Sequence, residues 1–584
     1  MEEIKSDILI IGAGGAGLFA ALHALEADPD LEVTVAVKGL LGKCGCTRMV
    51  QGGYNVALAP GDSLERHFMD TVEGGKWLPN QDLAWRLVEG ARERINELEN
   101  ELGCFFDRNP DGSLHQKAFA GQSFDRTVHK GDLTGIEIIN RLMERVWARG
   151  IRRLEEHRAV ALVPAEDDAL AGVLFIDQRS GGFLLARAKA VLLASGGGPT
   201  MYLYHTPSGD KSCDGLAMAL RAGLPLRDME MVQFHPTGLL AGPQTRMTGT
   251  VLEEGLRGAG GYLLDGQGER FMLELDPRGE RATRDIVARA MFAQMRAGRT
   301  GPMGGVFLEM KHLGPETVAR QFKGMVKRCA DSGFDLAGGR VEVVPTAHYM
   351  MGGLPFEADC RTETPGLFAA GEDTGGVHGA NRLGGNGVAN STVFGGIAGE
   401  TMAAFVHGEP GWRSPDKDVC EAAMAAALVP FSRRPGDIGR LRERLQGLMW
   451  EEVGILRSRQ GLERGRAALS ELAVEHARTG IGEGPRGFNM SWQDWLNLEN
   501  QILVGQAIAR SALFRENSRG AHYREDFPDE GSLAASRYTL VRMAGDDLAV
   551  SSEPVAFTRV RPGGSLLDED ARTPPAGTSE GGVS

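Results

Sequence analysis

The sequence predicts an α/β protein that carries an inserted α+β segment and ends in a mainly helical region. Three observations support this fold class. The chain opens with an apolar strand, a glycine-rich turn and a helix, and two further strand-and-glycine units follow at 188–200 and 365–387. Long amphipathic segments fill most of the chain after about 405. Strands that alternate with helices build a parallel sheet covered by helices on both faces.

The bulk composition excludes several classes of protein. The 584 residues are 42% hydrophobic and 24% charged, as in ordinary soluble proteins. The net charge of −14 argues against the basic surface that binds nucleic acid. No apolar run is long enough for a membrane span, and the acidic start lacks the regions of a signal peptide. We therefore expect a cytoplasmic protein of several domains with reduced thiols.

The first unit has the form of a Rossmann-like dinucleotide turn. The run 8–11 suits a buried parallel strand, and Gly12, Gly14 and Gly17 form GxGxxG before a helix. Glycines at these positions permit a tight turn, close approach to a pyrophosphate and close helix packing. The second strand ends on Lys38, where a standard NAD site has an acidic residue. This difference argues against NAD.

The other two strand-and-glycine units extend the predicted cofactor site. The unit 188–200 ends in a run of glycines, and the unit 365–387 ends its strand at Gly371 and Glu372. A glutamate at this place can accept hydrogen bonds from a ribose hydroxyl. Three such segments, far apart in the chain, predict a large FAD site. The predicted domains are an FAD-binding domain at 1–235 and 345–405, a capping domain at 236–344, a helical domain at 406–545, and an extension at 546–584 that is disordered from about 562.

Ten motifs resemble one family over nearly the whole chain. In chain order they are "GAGGAG", "QGGYNVAL", "FAGQS", "DMEMVQFHPTG", "RGAGGYLL", "GERFM", "RDIVAR", "PTAHYMMGG", "HGANRLGGN" and "SRGAHYREDFP". This set resembles the flavoprotein subunits of succinate dehydrogenase and fumarate reductase, with aspartate oxidase as a close relative. The resemblance implies an FAD-dependent oxidoreductase that moves a hydride between flavin N5 and the carbon–carbon bond of a small dicarboxylate.

The resemblance also implies the residues of the site. A substrate with two negative charges needs cations and donors in a buried site, and His235, His348 and Arg382 match the family's binding positions. The family donates a proton from an arginine, here Arg284. Because the pKa of arginine exceeds 12, a relay must restore that proton. The residues that match the relay are Glu254 and Arg257, with Asp285 expected to orient Arg284.

The resemblance extends to the cofactor contacts and to the wall of the substrate site. Gly52 and Phe119 are expected beside the substrate. Aspartate oxidase has a glutamate at the position of Phe119, so this residue favours the succinate and fumarate type. The residues expected to line FAD are Gly12, Gly14, Gly15, Gly17, Lys38, Cys46, Thr47, Gln51, Gly52, Gly53, Ala194, Gly196, Gly197, Asp214, Gly371, Glu372 and Asn386.

The segment "KCGCTRMVQGG" at 43–53 departs from the family pattern. In membrane-bound succinate dehydrogenases this loop carries a histidine joined covalently to the flavin, and Cys46 stands at that position. We expect non-covalent FAD, with a thioether between Cys46 and the flavin methyl group as the alternative. A metal is not expected, because Cys44 and Cys46 supply only two ligands and the chain has no CxxC motif.

A second departure concerns Glu253, which replaces the family's substrate-binding threonine before Glu254. A carboxylate beside a substrate carboxylate is repulsive. Three solutions are open: Glu253 is protonated, it turns toward Arg257, or the substrate lacks a carboxylate at that end. We expect one substrate carboxylate to be kept and the other end to differ, with weak activity on fumarate and succinate.

The electron partner must lie outside this chain, because the sequence has no iron–sulfur cluster motif. A separate iron–sulfur subunit is the leading prediction, and partner subunits of this kind place a flavoprotein at a membrane face. Two alternatives remain. One is an oxidase of the aspartate oxidase type that uses oxygen or fumarate, and the other is a non-enzymatic flavin-binding assembly subunit.

Overall fold

The computed structural model describes residues 1–243, 245, 247–409 and 411–567. The strands in these ranges are β1 (Glu2–Ile11), β2 (Val33–Val37), β3 (Tyr54–Asn55), β4 (Gln116–Lys117), β5 (Thr127–Val128), β6 (Arg152–Glu155), β7 (His157–Pro164), β8 (Leu170–Asp177), β9 (Phe183–Leu193), β10 (Leu226–Arg227), β11 (Val232–Leu239), β12 (Tyr262–Leu264), β13 (Val306–Glu309), β14 (Arg340–Met350), β15 (Leu367–Ala369), β16 (Arg537–Ala544) and β17 (Asp547–Pro554).

The α-helices of the same ranges lie between and after these strands. They are α1 (Gly15–Ala27), α2 (Leu64–Gly74), α3 (Gln81–Asn100), α4 (Thr134–Ala148), α5 (Asp214–Arg221), α6 (Gly255–Gly258), α7 (Met272–Leu275), α8 (Arg284–Arg296), α9 (Pro315–Gln321), α10 (Lys323–Asp331), α11 (Asn386–His407), α12 (Lys417–Ser432), α13 (Ile438–Glu452), α14 (Arg459–Arg478) and α15 (Met490–Phe514).

The main sheet has the order β6-β2-β1-β9-β8-β7, with β15 also paired to β9. β1 runs parallel to β2 and β9, and its apolar half, from Ile8 to Ile11, is buried. Helices cover both faces, as expected for strands without a polar side. β7, β8 and β9 are antiparallel neighbours, so the sheet is mixed. This architecture confirms the predicted α/β fold class.

The three strand-and-glycine units meet at one edge of this sheet. Ile11 at the end of β1 pairs with Leu193 of β9, and Leu193 pairs in turn with Ala369 of β15. Helices α1 and α11 cross in close contact here, because Gly395 and Gly399 have no side chain to separate them. The carboxyl ends of parallel strands form the usual ligand crevice of such sheets.

A second sheet, with the order β11-β14-β13-β12, is antiparallel and has its own hydrophobic core. It belongs to the segment predicted as a capping domain. The predicted boundaries at 235/236 and 344/345 fall inside β11 and β14, which run without a break from one region into the other. These two paired strands carry His235 and His348, so they place both histidines where the two regions meet.

The C-terminal region packs helices α13, α14 and α15 against the main sheet through one large core. After these helices the chain forms a β-hairpin, which the prediction of a helical domain to residue 545 did not include. The antiparallel hairpin β16–β17 begins at Arg537 and pairs with β10. The following chain is tied to α3, because Gln81 exchanges two hydrogen bonds with the backbone of Val560.

Part of the predicted disordered tail is described. Leu566 and Leu567 pack against the cluster that contains Phe68 and Trp77, so the chain is still packed beyond 562. The remainder of the predicted tail, 568–584, lies outside the described residues. Of the helices in the described ranges, none has both the length and the apolar character needed to cross a bilayer.

Candidate active site

The glycine turn after β1 packs its backbone tightly against the end of β9 and within its own turn. Gly12 has φ of +114°, and a Cβ there would lie 2.1 Å from the carbonyl oxygen of Ala194. A Cβ on Gly17 would lie 2.0 Å from the oxygen of Gly12. No larger residue fits at either place. The backbone N–H of Gly15, in the first turn of α1, donates to Thr47 Oγ1 at 2.9 Å, which ties the 43–53 loop to the helix N-terminus.

The ends of β9 and β15 form the second wall of this crevice. Gly196 N donates to Asp373 at 2.9 Å, and a Cβ on Gly197 would lie 2.9 Å from Glu372 Oε1. The Glu372 carboxylate accepts from Met350 N, and burial raises its pKa to about 7. Glu372 therefore lies in the predicted crevice, where its contact with a ribose hydroxyl stays a prediction.

Lys38 and Asp214 are brought together at the end of β2. Lys38 Nζ donates to Asp214 at 2.7 Å and to Ser212 at 3.0 Å, and Arg158 donates to the same carboxylate at 2.8 Å. Burial alone would raise the pKa of Asp214, but Arg158 and Lys38 outweigh it and hold the pKa far below its usual value. The two predicted cofactor residues thus form one ion cluster beside the crevice.

The 43–53 loop places Cys46 in the crevice region, near Lys211 and Glu372. Burial raises the pKa of the Cys46 thiol to about 12, so the group is protonated at neutral pH. Among the described residues, the one trio arranged to hold a metal is His23, Glu26 and Glu97, on α1 and α3 away from this loop. Neither cysteine of the loop takes part in a metal cluster there.

Gly52 and Gly53 continue the loop toward the substrate side. Gly53 has φ of +152°, and a Cβ there would lie 2.3 Å from the oxygen of Val128. A Cβ on Gly52 would lie 2.7 Å from the ring of Phe119, so the two predicted substrate residues are in contact. Gln51 has a buried side-chain oxygen without a partner among the described residues, which leaves it available to a ligand.

Asn386, at the start of α11, does not have a free side chain. Its Oδ1 accepts from Asn55 at 2.7 Å and makes a 3.0 Å contact with His67, and its Nδ2 donates to Thr71 at 3.1 Å. A direct side-chain contact to a cofactor would break this buried network. The side chain of Asn386 therefore holds the start of α11 in position, and a contact of this residue with the cofactor stays a prediction.

Three charged residues form a buried chain under the substrate wall. Arg284, the first residue of α8, contacts Glu254 Oε2 through Nη2 at 2.6 Å and Nε at 3.2 Å. The other oxygen of Glu254 accepts from Arg257 at 3.2 Å. Burial alone would raise the pKa of Glu254, but Arg284 and Arg257 outweigh it and lower the pKa. The predicted proton donor and relay thus form one continuous hydrogen-bonded path.

The orientation of Arg284 has a different origin from the predicted one. Asp285 faces Arg289 at 3.5 Å and has no hydrogen bond to Arg284. Gln233 accepts from Arg284 Nη1 at 3.0 Å and donates to the backbone oxygen of Arg382 at 2.7 Å. Gln233 precedes His235 by two residues on β11, and this strand periodicity is the signal that identifies it.

His235 and His348 face each other across β11 and β14, with ring centroids 5.3 Å apart. Thr206 Oγ1 lies 2.7 Å from His348 Nδ1. Burial first, and Arg284 second, hold the pKa of both histidines well below the usual value. Both rings are therefore neutral at pH 7 and can donate one N–H each to a bound anion.

Arg382 completes the site. Its guanidinium stacks on the ring of Tyr349 at 4.4 Å, and its buried Nε has no partner among the described residues. Burial, helped by Arg284, lowers its pKa to about 10, so it remains charged. Arg284 and Arg257 share one ion-paired carboxylate, that of Glu254, whereas Arg382 has no ion pair among the described residues and Glu372 acts on it only from beyond ion-pair distance. The site therefore has two uncompensated positive charges, which match a dianion.

Glu253 points away from these arginines. Its carboxylate lies 3.1 Å from the ammonium of Lys117 on β4, whereas Arg257 binds Glu254 and the backbone oxygen of Glu280. Burial raises the pKa of Glu253, and Lys117 opposes this effect. Of the three open solutions, a turn toward Arg257 is not the one adopted, and because Lys117 compensates the charge of Glu253, the repulsion argument for an altered substrate loses its premise.

Lys211 is a crevice residue that the sequence did not reveal. Its ammonium donates to the backbone oxygen of Ser195 at 2.5 Å and would lie 3.1 Å from a Cβ on Gly196. It comes from the loop before α5, which has no motif that marks a cofactor contact. A cation at the glycine-lined crevice suits a pyrophosphate or an electron-rich ring, so the residues present fit FAD.

Comparison with known proteins gives a consistent result. Residues 7–388 match the FAD binding domain family, and residues 442–572 match the fumarate reductase flavoprotein C-terminal family. A fumarate reductase (CoM/CoB) subunit from Methanothermobacter marburgensis is 42% identical over 535 residues, which cover 90% of this chain and 95% of that protein. The Escherichia coli fumarate reductase flavoprotein subunit is 33% identical over 90% of this chain and 89% of its own length.

Solved structures agree with these relatives. Escherichia coli quinol fumarate reductase FrdA superposes with a TM-score of 0.91 at 31% identity, covering 96% of this chain and 98% of that one. Mycobacterium smegmatis Sdh1 superposes with a TM-score of 0.84 at 36% identity, covering 95% of this chain and 94% of that one.

Proposed function

Since the chain belongs to the succinate dehydrogenase and fumarate reductase flavoprotein family, we propose that it reduces the double bond of fumarate or a close dicarboxylate. Family membership makes it an FAD-dependent oxidoreductase acting on CH–CH groups. The observation that supports the dicarboxylate is the charge balance of the site. Two uncompensated guanidinium charges, beside two neutral histidines, would bind two carboxylates.

The chain's own residues have distinct tasks in this reaction. Arg382 holds one substrate carboxylate through its guanidinium, whose buried Nε has no partner among the described residues. His235 and His348, both neutral, donate to the substrate without competing for its proton. Phe119 closes the wall against Gly52 and excludes water. FAD, when bound, supplies or accepts the hydride. The crevice residues orient it by the glycine turn of β1 and the ends of β9 and β15.

The proton on the other carbon comes from Arg284. Its guanidinium is held by Gln233 on one side and Glu254 on the other, so its position is defined before substrate binds. After Arg284 donates, a proton passes from Arg257 to one oxygen of the ionised Glu254 carboxylate and from Glu254 to Arg284, so Glu254 carries the proton only in transit and Arg257 regains its own from solvent. In this order one proton moves across each hydrogen bond of the path, from Arg257 to Glu254 and from Glu254 to Arg284. In succinate oxidation the same groups move the proton in the reverse direction.

Electrons would reach this subunit from a separate iron–sulfur protein. The relatives are named as subunits, and the described residues have no cysteine cluster. FAD is proposed to bind without a covalent link, because the Cys46 thiol is protonated. The oxidase alternative is disfavoured by Phe119, which brings no charged group to the place where aspartate oxidase meets the substrate amine. The complete Arg284 relay disfavours a non-enzymatic assembly role.

The experiment is an anaerobic assay of the purified holoprotein. Reduced benzyl viologen supplies electrons, and fumarate is added as acceptor. We expect fumarate-dependent oxidation of the dye at a rate normal for an enzyme, and low peroxide production with succinate in air. No turnover with fumarate, succinate or other dicarboxylates would overturn the proposal. Rapid peroxide formation with substrate and air alone would favour the oxidase.

A further inference from the structure

Lys117 and Glu253 form a buried ion pair that joins two parts of the chain 136 residues apart. Lys117 lies on the short sheet β3-β5-β4, and Glu253 directly precedes the relay residue Glu254. The exposed fraction of the side chain is 18% for Lys117 and 7% for Glu253. A pair this buried is only weakly screened by salt, so its charges act on their surroundings.

The pair belongs to the wall of the substrate site. The ammonium of Lys117 lies 5.6 Å from the ring centroid of Phe119. A Cβ on Gly384 would lie 2.6 Å from that ring and 3.1 Å from Arg284 Nη2, so Phe119 and the proton donor flank the same glycine. Glu253 and Lys117 are therefore within electrostatic reach of a substrate that lies between Phe119 and Arg284.

The charge balance shows what Lys117 contributes. The site itself has two uncompensated positive charges, which suit a dianion. If Glu253 had no partner, its negative charge would offset one of these two positive charges, because Glu253 is adjacent in sequence to Glu254 and nearly as buried. Two further charged residues influence Glu253: Asp132 raises the pKa of its carboxyl group and Arg328 lowers it. Lys117 is the one cation that forms an ion pair with Glu253 among the described residues.

From this geometry we infer that Lys117 is a specificity-determining residue: its ion pair with Glu253 keeps the site selective for dianionic over monoanionic substrates. Lys117 does not touch the reacting atoms and acts through Glu253. The inference rests on the proposed function, since it concerns the substrate of the same site. It also reverses the expectation that Glu253 selects a substrate lacking one carboxylate.

The test compares a dianion with a monoanion of nearly the same shape. Fumarate and its monomethyl ester are assayed with reduced viologen, and KM is measured for wild type and Lys117→Met. We expect KM for fumarate to rise about tenfold, and KM for the ester to change by about twofold or less, as loss of one nearby charge predicts. The double variant Lys117→Met/Glu253→Gln should restore KM for fumarate, and Lys117→Arg should stay close to wild type.

Two controls separate this effect from damage to the fold. FAD content reports folding of each variant. Lys327→Met removes a lysine of the capping segment that is exposed and paired with Asp331, and it should leave both KM values unchanged. An equal rise of both KM values in Lys117→Met, no rise for fumarate, or a double variant that is not rescued would overturn the inference.

Binding is also measured without turnover, by the change that fumarate and the ester cause in the flavin absorbance. If wild type fails to reduce fumarate but binds it with a preference that Lys117→Met abolishes, the proposed reaction is wrong and the inference stands. If fumarate turns over normally and the preference does not depend on Lys117, the inference alone is wrong. No spectral response to any dianion would overturn both.

Discussion

Arg284 Nη2 lies 2.6 Å from Glu254 Oε2, in a site where the two side chains are 7% and 2% exposed. A carboxylate this buried would normally be costly, since desolvation opposes its charge. Arg257 on its other oxygen and Gln233 on the far side of Arg284 satisfy the remaining groups. The arrangement fixes the Arg284 guanidinium at one place and links it through Glu254 to a second guanidinium, which is what a weakly acidic proton donor needs to act repeatedly.

Arg284→Ala should retain FAD and lose turnover. The substitution removes the proton donor but leaves the glycine crevice intact. General acid–base groups contribute about 10²–10⁴-fold, and we expect a loss of that size in kcat for fumarate reduction. Arg289→Ala is the matched control on the same helix, because Arg289 binds Asp285 and a backbone oxygen outside the relay. A near-normal rate in Arg284→Ala would show that another group supplies the proton.

Arg382→Ala should weaken substrate binding as well as the rate. Its guanidinium is an anchor in both the ground state and the transition state, so the loss falls on KM and kcat together. Truncation of a buried charged partner costs about 2–5 kcal/mol, and we expect kcat/KM to fall by about 10²–10³-fold. The kcat/KM of Arg382→Lys should lie between those of wild type and Arg382→Ala, since lysine keeps the positive charge but lacks the planar guanidinium group. An unchanged KM in the alanine variant would contradict the assignment.

Stability of the holoprotein should decrease on acidification through the histidine pair. The pKa of His235 and of His348 is depressed in the fold, whereas the unfolded value is about 6.5. The unfolded state therefore binds more protons below that pH. The contribution of each neutral histidine to the free energy of unfolding is fully present above about pH 6.5. Below that pH this contribution falls by about 1.4 kcal/mol per pH unit for each histidine.

Thermal unfolding between pH 5.0 and 7.5 measures this effect. His348→Gln keeps a partner for Thr206 and should show a shallower fall of the melting temperature below pH 6.5 than wild type. Parallel curves for the two proteins would mean that other groups cause the acid dependence.

FAD should leave the protein when it is precipitated with acid or heat. The reason is that burial raises the pKa of the Cys46 thiol to about 12, so a nucleophilic thiolate is absent at neutral pH. Flavin fluorescence should be found in the supernatant and not with the protein band on a denaturing gel. Cys46→Ser should keep the same FAD content. Fluorescence that stays with the wild-type band and disappears in Cys46→Ser would establish the thioether alternative.

Much of the site was accessible from sequence because its residues lie in local motifs. The turn at Gly12 needs a glycine whatever the rest of the chain does, since its φ is +114°. Arg284 and Arg382 each lie in a motif of their own, and Glu254 and Arg257 share one; the fold joins Arg284, Glu254 and Arg257 by hydrogen bonds. The hairpin β16–β17 was missed because it follows a long helical region and its first strand pairs with β10, some 300 residues earlier.

The sequence by itself determined the fold class and the cofactor and predicted the charged residues that lie in motifs, because these depend on apolar periodicity, on backbone freedom at glycines and on patterns within a few residues. It did not predict Lys117 or Lys211, which lie in no such motif. Only the tertiary structure decided which partner each charge has. A turn of Glu253 toward Arg257, four residues away, was one of three solutions open from the sequence, but Glu253 pairs with Lys117, and Arg284 is held by Gln233 and not by its neighbour Asp285. A buried charge takes its partner from whatever strand is packed against it, and that contact is not encoded in local spacing.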